Sequence, residues 1–320
     1  LAMAVLALFL VSLTVGPANV GIGESLTALF DDSFGPLNLV MQEIRLPRAL
    51  LAVIIGGGLG LAGAAMQGYL RNPLAEPGLI GVSSSAALGA VLAINTGLAA
   101  SLTLGLPLAA LAGALAGVFL VMALAGPQGG SLTLILAGIA ISAMAAALTS
   151  LVLNLSPNPF AANEIVFWMM GSLADRSFAH VWLALPFMAV GWGLLASVGR
   201  GLNALTLGED AAQALGINLR ALRLRLILGT AACVGAATAV AGAVGFVGLV
   251  VPHLLRPLIG ARPSALLWAS ALGGAAMVLA ADIAVRELLP DRDLKLGVLM
   301  ALVGAPLFLH LIYKTRKEMA

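Results

Sequence analysis

Charged residues are scarce in this sequence. They make up 9% of the 320 residues, whereas hydrophobic residues make up 61%. A soluble domain carries about 25% charged residues, so this chain has too few to cover a water-facing surface. The composition therefore argues against a soluble enzyme, a nucleic-acid-binding protein and a disordered chain. It indicates that almost the whole sequence lies in lipid.

Residues that build metal sites and nucleotide loops are also few. The single cysteine, Cys233, excludes an internal disulfide and a cysteine-built metal site. None of the three lysines follows a glycine, so the chain lacks the GxxxxGK(S/T) loop of P-loop ATPases. The three histidines lie too far apart in sequence to form a local metal motif. We therefore expect no metal site and no cofactor bound by this chain, and we do not expect an enzyme.

The gaps between charges predict the membrane spans, because a helix needs about 20 apolar residues to cross a bilayer. The stretch 226–255 is long for one span and short for two. The positive-inside rule places the basic segments 200–225, 256–262 and 314–317 in the cytoplasm, which requires two crossings within 226–255. The second would be short and broken by prolines, as is tolerated where a helix faces protein or a water-filled path. The sequence thus predicts an all-α polytopic membrane protein of about ten helices, at 1–16, 49–70, three within 77–163, 177–199, two within 226–255, 263–281 and 296–313.

The first apolar run, residues 1–16, has two interpretations. A signal peptide would carry basic residues before its apolar core, and none precedes this run. Because the chain starts at Leu1, we expect a truncated first membrane helix instead.

An internal repeat relates the two halves of the chain. Without gaps, segments 52–90 and 231–269 are identical at 14 of 39 positions. In the ten-helix count these are the second and seventh spans, which run in opposite directions. An inverted repeat is typical of transporters, whose path lies near the repeat interface. We predict one transmembrane domain, with a boundary between repeat halves near residue 176: 1–320 overall, 1–176 and 177–320 for the halves.

Small residues recur at every fourth position on one face of the second predicted span. Such a stripe lets neighbouring helices approach closely. We interpret it as ordinary packing in the membrane. The residues are Gly56, Gly60, Ala64 and Gly68.

Several motifs follow one another in a recognisable order. They are RLPR at 45–48, GAAMQ at 63–67, RNPLAEPGLIGVS at 71–83, WMMGSL at 168–173, LTLGEDAAQALG at 205–216, FVGLVVPHLLR at 246–256, ADIAVR at 281–286 and GAPLF at 304–308. This set resembles the FecCD-type permeases, the membrane subunits of ABC importers for iron-siderophores, haem and cobalamin. The resemblance covers essentially the whole chain.

The resemblance implies a type II ABC importer permease fold with ten helices per chain, working as a homodimer in the bacterial inner membrane. It implies two separate ATPase subunits on the cytoplasmic side, so ATP would be used by a partner subunit. It also implies a periplasmic or lipid-anchored substrate-binding protein outside. The cargo would be a bulky metal chelate, an iron-siderophore or haem, with cobalamin as the alternative.

Three arginines fall on the outer side of the predicted topology: Arg45, Arg48 and Arg286. By resemblance they match the arginines that receive glutamates of the docked binding protein. Charge-assisted pairing of arginine with carboxylate suits a reversible contact. The alternative is that these side chains snorkel at the membrane edge.

Residues 203–217 predict a short amphipathic helix within the basic cytoplasmic loop. Glu209 and Asp210 lie in its first turn, where the helix dipole favours acidic groups, and Gly216 can be its C-cap. The alternative is an ordinary solvated loop. The resemblance identifies 200–222 as the loop that couples to the ATPase, through Leu205, Leu207, Gly208, Glu209, Asp210, Ala211, Leu215 and Gly216.

Four further positions are singled out. By resemblance, Ser131 and Leu132 lie at the cytoplasmic gate of the pathway. Arg176, at the predicted outer edge, is a candidate contact for an anionic cargo. Asp282 lies inside an apolar span, where a carboxylate is costly. It would be a proton site in a secondary transporter, but structural pairing or a helix-end contact is the favoured interpretation.

The rival class is an ion-coupled secondary transporter that works without an ATPase. Such a protein would need several ionisable groups within its spans, and only Asp282 qualifies. The favoured function is therefore the permease subunit of an ABC importer.

Overall fold

The chain is built from helices packed side by side. The computed structural model describes residues 1–16, 21–126, 130–260, 262–288 and 294–319, and it contains no strand in these ranges. The first helices are α1 Ala2–Thr14, α2 Ile22–Ala28, α3 Pro36–Leu39, α4 Leu46–Leu70, α5 Val82–Asn95, α6 Leu98–Ser101, α7 Gly105–Ala125 and α8 Ser131–Leu155. The remaining helices are α9 Pro159–Met169, α10 Phe178–Ser197, α11 Gly199–Leu205, α12 Glu209–Ala214, α13 Leu219–Ala241, α14 Val247–Leu255, α15 Pro263–Leu288 and α16 Leu296–Met319.

The apolar helices confirm the predicted architecture. Helices suit apolar segments because lipid offers no hydrogen-bond partner, so every backbone group must be satisfied within the segment. Six helices in the described part are long and apolar enough to cross a membrane: α4 with the turns before it, α7, α8, α10, α13 and α15. Four shorter apolar helices complete the predicted ten: α1, α5, α14 and the apolar part of α16. The chain is thus a multi-pass membrane protein.

The second crossing within 226–255 is short, as predicted. Helix α14 runs for nine residues and contains Pro252, and a 3₁₀ turn, Arg256–Leu258, continues it. Between α13 and α14 the chain is unwound from Gly242 to Phe246. Both ends of this break have left-handed backbone, with φ of +72° at Gly242 and +66° at Phe246.

Helix α4 lies at the centre of the bundle. It packs against α10, α13, α14 and α15, and most of its residues are buried. A Cβ at Gly56 would overlap the Gly274 carbonyl of α15, and a Cβ at Gly60 would overlap the Ser270 carbonyl. The small-residue stripe therefore lets α4 and α15 meet backbone to backbone, which confirms that it serves packing.

The break after α13 shifts the register of the sequence repeat. Gly242 ends α13, whereas Gly63, its partner in the ungapped match, lies inside α4. Gly63 instead packs on Gly248 of α14, where an added Cβ would overlap the Gly248 carbonyl. The 179-residue offset thus aligns the sequences but not the helix ends, because α13 stops where α4 continues to Leu70.

Candidate functional site

Two of the three arginines predicted for docking, Arg48 and Arg286, converge on one carboxylate at one end of the bundle. Asp282 of α15 is fully buried. Arg48 donates to it from Nε at 2.9 and 3.1 Å, with its terminal nitrogen 2.8 Å from Oδ1. Arg286, one turn further along α15, places a terminal nitrogen 3.0 Å from Oδ2. The structural pairing favoured for Asp282 is therefore confirmed.

Arg45 and Arg286 bind the end of α1. Arg45 donates to the carbonyls of Leu13 and Thr14 at 2.9 and 3.1 Å. Arg286 donates to the carbonyls of Ser12 and Val15, both at 2.9 Å. The last carbonyls of a helix lack intrahelical partners and carry partial negative charge, so guanidinium groups stabilise them.

This arrangement bears on the predicted docking site. Arg45 is only 4% exposed, and the Arg48 and Arg286 side chains are 17% and 10% exposed. Their guanidinium groups bind partners inside the protein, and Arg48 has the largest exposed fraction of the three. Docking through these arginines stays a prediction, and the sequence did not reveal that Arg48 and Arg286 share Asp282.

The predicted coupling segment lies at the other end of α4. That helix is 25 residues long, so it spans about 37 Å. Gly68 near its end packs on Leu202 of α11, whereas Arg48 lies in its first turn. The arginine cluster and the coupling segment therefore occupy opposite ends of the bundle.

The coupling segment forms two short helices instead of one. Helix α11 ends at Leu205, and α12 begins after Gly208 with Glu209 and Asp210 in its first turn, as predicted. Gly216 has φ of +82°. Its amide donates to the Gln213 carbonyl and the next amide donates to the Ala212 carbonyl, which is the hydrogen-bond pattern of a Schellman C-cap.

Two leucines of this segment face outward. Leu207 is 70% exposed and Leu215 is 63% exposed, on either side of α12. Leu205, in contrast, is 2% exposed. Leu205 therefore lies inside the bundle, at the end of a helix that packs against α4 and α15, and its contact with the ATPase stays a prediction.

The predicted gate residues lie in the first turn of α8. Ser131 is partly buried, and Leu132 is exposed. Residues 127–129, which precede this helix, lie outside the described ranges. The gate role stays a prediction.

Arg176 is partly buried in the loop between α9 and α10. Its Nε donates to the Val240 carbonyl, near the end of α13, at 2.6 Å. Burial lowers the pKa of Arg176 below its ordinary value, and the neighbouring Asp175 offsets only part of this shift. The structure thus gives Arg176 a local partner, and contact with an anionic cargo stays a prediction.

The sequence did not predict a groove of about 620 Å³ between α5, α8 and the break after α13. Its polar lining includes Glu76, Ser83, Ser84 and Ser142. The Glu76 carboxylate accepts a hydrogen bond from the Phe246 amide at 3.1 Å, which places negative charge at the start of α14, where the helix dipole favours it. The sequence did mark Glu76 as unusual, because it is the only acidic residue in the 71–83 motif.

Known proteins resemble this chain over nearly its full length. A family model described as the FecCD transport family matches residues 4–314. The hemin transport system permease protein HmuU of Yersinia pestis is 39% identical over 98% of this chain and 95% of its own length. A vitamin B12 import system permease protein BtuC, from Klebsiella pneumoniae, is 36% identical over 99% of this chain and 93% of its own length. A solved structure of a transporter classed as metal-chelate type, in an inward-facing conformation, has a TM-score of 0.87 at 34% identity and covers 98% of this chain and 97% of that chain.

Proposed function

Because the chain belongs to the FecCD transport family, we propose that it is the membrane subunit of an ATP-driven importer for a bulky metal chelate. Haem or an iron-siderophore is the preferred cargo, and cobalamin is the alternative, since relatives of similar identity are named for hemin and vitamin B12. The observation that carries the proposal is the family match over residues 4–314. The exposed leucines of the coupling segment support it, because such side chains suit a protein partner.

The proposal includes partners that this chain cannot replace. A second copy completes the pathway, two ATPase subunits bind at α12, and a substrate-binding protein docks at the arginine cluster. The assembly lies in the bacterial inner membrane, with α12 in the cytoplasm. The chain needs no cofactor of its own, since ATP is bound and hydrolysed by the partner.

Docking at the arginine cluster is supported by its charge. Arg48 and Arg286 share the single carboxylate of Asp282, and Arg45 adds a third guanidinium group at the same end of the bundle, where it binds the end of α1 as Arg286 does. The cluster therefore keeps a net positive charge, which attracts an acidic surface. Arg48, the most exposed of the three, is the residue through which a carboxylate of the binding protein makes contact.

The pairing of Asp282 weakens the rival class. A proton or sodium site needs a carboxylate that changes its partner during transport. Asp282 is instead held by Arg48 and Arg286. We therefore favour ATP as the energy source over an ion gradient.

Transport in proteoliposomes tests the function. The chain is reconstituted with its ATPase and a cargo-loaded binding protein, and uptake of labelled haem, ferric siderophore or cobalamin is measured with and without ATP. We expect uptake only when both ATPase and ATP are present. Uptake driven by a proton or sodium gradient alone would overturn the proposal.

Leu207→Asp tests the coupling surface. A charge at this position would have to be desolvated against the ATPase, so we expect at least about tenfold less ATPase to copurify. ATP-driven uptake should fall with it. Folding should be unaffected because Leu207 is exposed.

Leu258→Asp is the matched control. Leu258 is also an exposed leucine, in the predicted cytoplasmic segment 256–262. It should retain ATPase binding. Equal loss in both variants would argue against a localised coupling surface at α12.

A further inference from the structure

A groove between α7 and α13 lies at the same end of the bundle as the coupling segment. Helix α13 begins at Leu219, shortly after α12. Arg223 of α13 donates to the carbonyl of Gly126, just past the end of α7, at 2.9 Å. The groove has a volume of about 440 Å³. Neither the family match nor the proposed transport function assigns it a ligand.

On α13, the lining residues run from charged to apolar. They are Arg220, Arg223, Leu224 and Ile227. Their spacing of three, four and seven residues puts them on one helix face. At 1.5 Å per residue, Ile227 lies about 10 Å deeper in the bundle than Arg220.

Helix α7 forms the other wall of the groove and runs antiparallel to α13. The groove is lined there by Phe119, Met122 and Ala123 of α7 and by Gly126 just past its end, at the same three, four and seven spacing. Gly126 lies beside Arg223, so Phe119 marks the deep, apolar end. Of the described residues that line the groove, none is acidic. The groove is therefore basic at its mouth and apolar below.

We propose that this groove binds an anionic phospholipid of the cytoplasmic leaflet. Arg220 and Arg223 bind the phosphate, and the apolar walls seat the upper part of an acyl chain. Basic pockets between membrane helices on the cytoplasmic side select anionic headgroups, and arginine suits phosphate because its planar fork can donate two parallel hydrogen bonds. The arginines lie at the mouth of the groove and the apolar residues lie deeper, as the headgroup and the acyl chain of a lipid do in the membrane.

The cytoplasmic placement follows from charge. The loop and helix start at this end carry Arg200, Arg220, Arg223 and Arg225, as expected for the inner side. The occupant is a lipid and not a soluble phosphate, because the apolar walls below the arginines would otherwise face water. The inference requires a membrane protein but no particular cargo.

Lipid retention by the purified full-length chain tests the site. Native mass spectrometry from detergent would compare phosphatidylglycerol with phosphatidylcholine of the same acyl chains. We expect a clear preference for phosphatidylglycerol. In the double variant Arg220→Gln/Arg223→Gln the preference should fall at least about tenfold, since each basic residue near the surface contributes about fivefold.

Arg225→Gln is the matched control. Arg225 lies on the same helix but outside the groove lining, and two residues past Arg223 it points to another face. The control should keep the preference. Loss of preference in the control, or no preference in the unmodified chain, would overturn the proposal.

Two further arms separate the alternatives. Ala123→Leu should fill the groove and weaken lipid retention while leaving the arginines in place; unchanged retention would exclude an acyl-chain seat. Inorganic phosphate at millimolar concentration should not displace the lipid, and displacement would show a soluble anion site.

If the double variant keeps its lipid but loses the ATPase, these arginines bind the ATPase and the lipid proposal is wrong. Thermal unfolding of each variant establishes that it is folded.

Discussion

Asp282→Ala should destabilise the protein by about 3–5 kcal/mol, because removing one partner of a buried ion pair leaves uncompensated charge. Here two guanidinium groups, of Arg48 and Arg286, lose their shared carboxylate. Arg286 also holds the end of α1, so that helix should loosen as well. The measurement is thermal unfolding of the purified chain in detergent, followed by size-exclusion chromatography.

Glu287→Gln is the control for the Asp282 variant. It removes a negative charge at the same end of α15, but Glu287 is exposed, and surface pairs contribute little. Its unfolding midpoint should stay close to that of the unmodified chain. If Asp282→Ala proved equally harmless, the carboxylate would not be a structural centre, and the proton-site interpretation would regain support.

Gly63→Val should prevent stable folding. A Cβ at this position would overlap the carbonyl of Gly248, and the obstacle is backbone, which cannot rotate away as a side chain can. Overpacking a core costs about 1–3 kcal/mol and sometimes more, and we expect at least about 3 kcal/mol here. The measurement is the yield of monodisperse protein together with its unfolding midpoint.

Gly193→Ala separates close packing from a general effect of glycine replacement. Gly193 lies within α10, and no atom comes within 4 Å of an added Cβ. Alanine is the better helix former, so this variant should be as stable as the unmodified chain or slightly more so. A folded, stable Gly63→Val variant would mean that α4 and α14 can separate at this point.

The sequence predicted the membrane architecture because its signals are local. Each span is a continuous apolar run, and the short α14 could be inferred from the length of 226–255 and the basic residues around it. The ends of α12 were also predictable, since Glu209, Asp210 and Gly216 are local cap signals. The division of the coupling segment into α11 and α12 was not, because it depends on burial of Leu205 against other helices.

The arginine cluster could not be derived in the same way. Arg48 and Asp282 are 234 residues apart, and no periodic pattern connects them. The sequence identified Arg48 and Asp282 separately as charged residues at apolar segments. Only the packing of α4 on α15 brings their side chains into contact. The groove beside Glu76 was missed for the same reason, because its walls come from segments far apart in the chain.

The attachment of α1 has a consequence for biosynthesis. Ser12 and Arg286, which bind one another, are separated by 274 residues. During synthesis α1 enters the membrane early, yet its final partner on α15 emerges only near the end of translation. We expect the nascent chain to carry a loosely held α1 until α15 inserts, so a membrane chaperone or protease would meet this helix before its end is bound by Arg286.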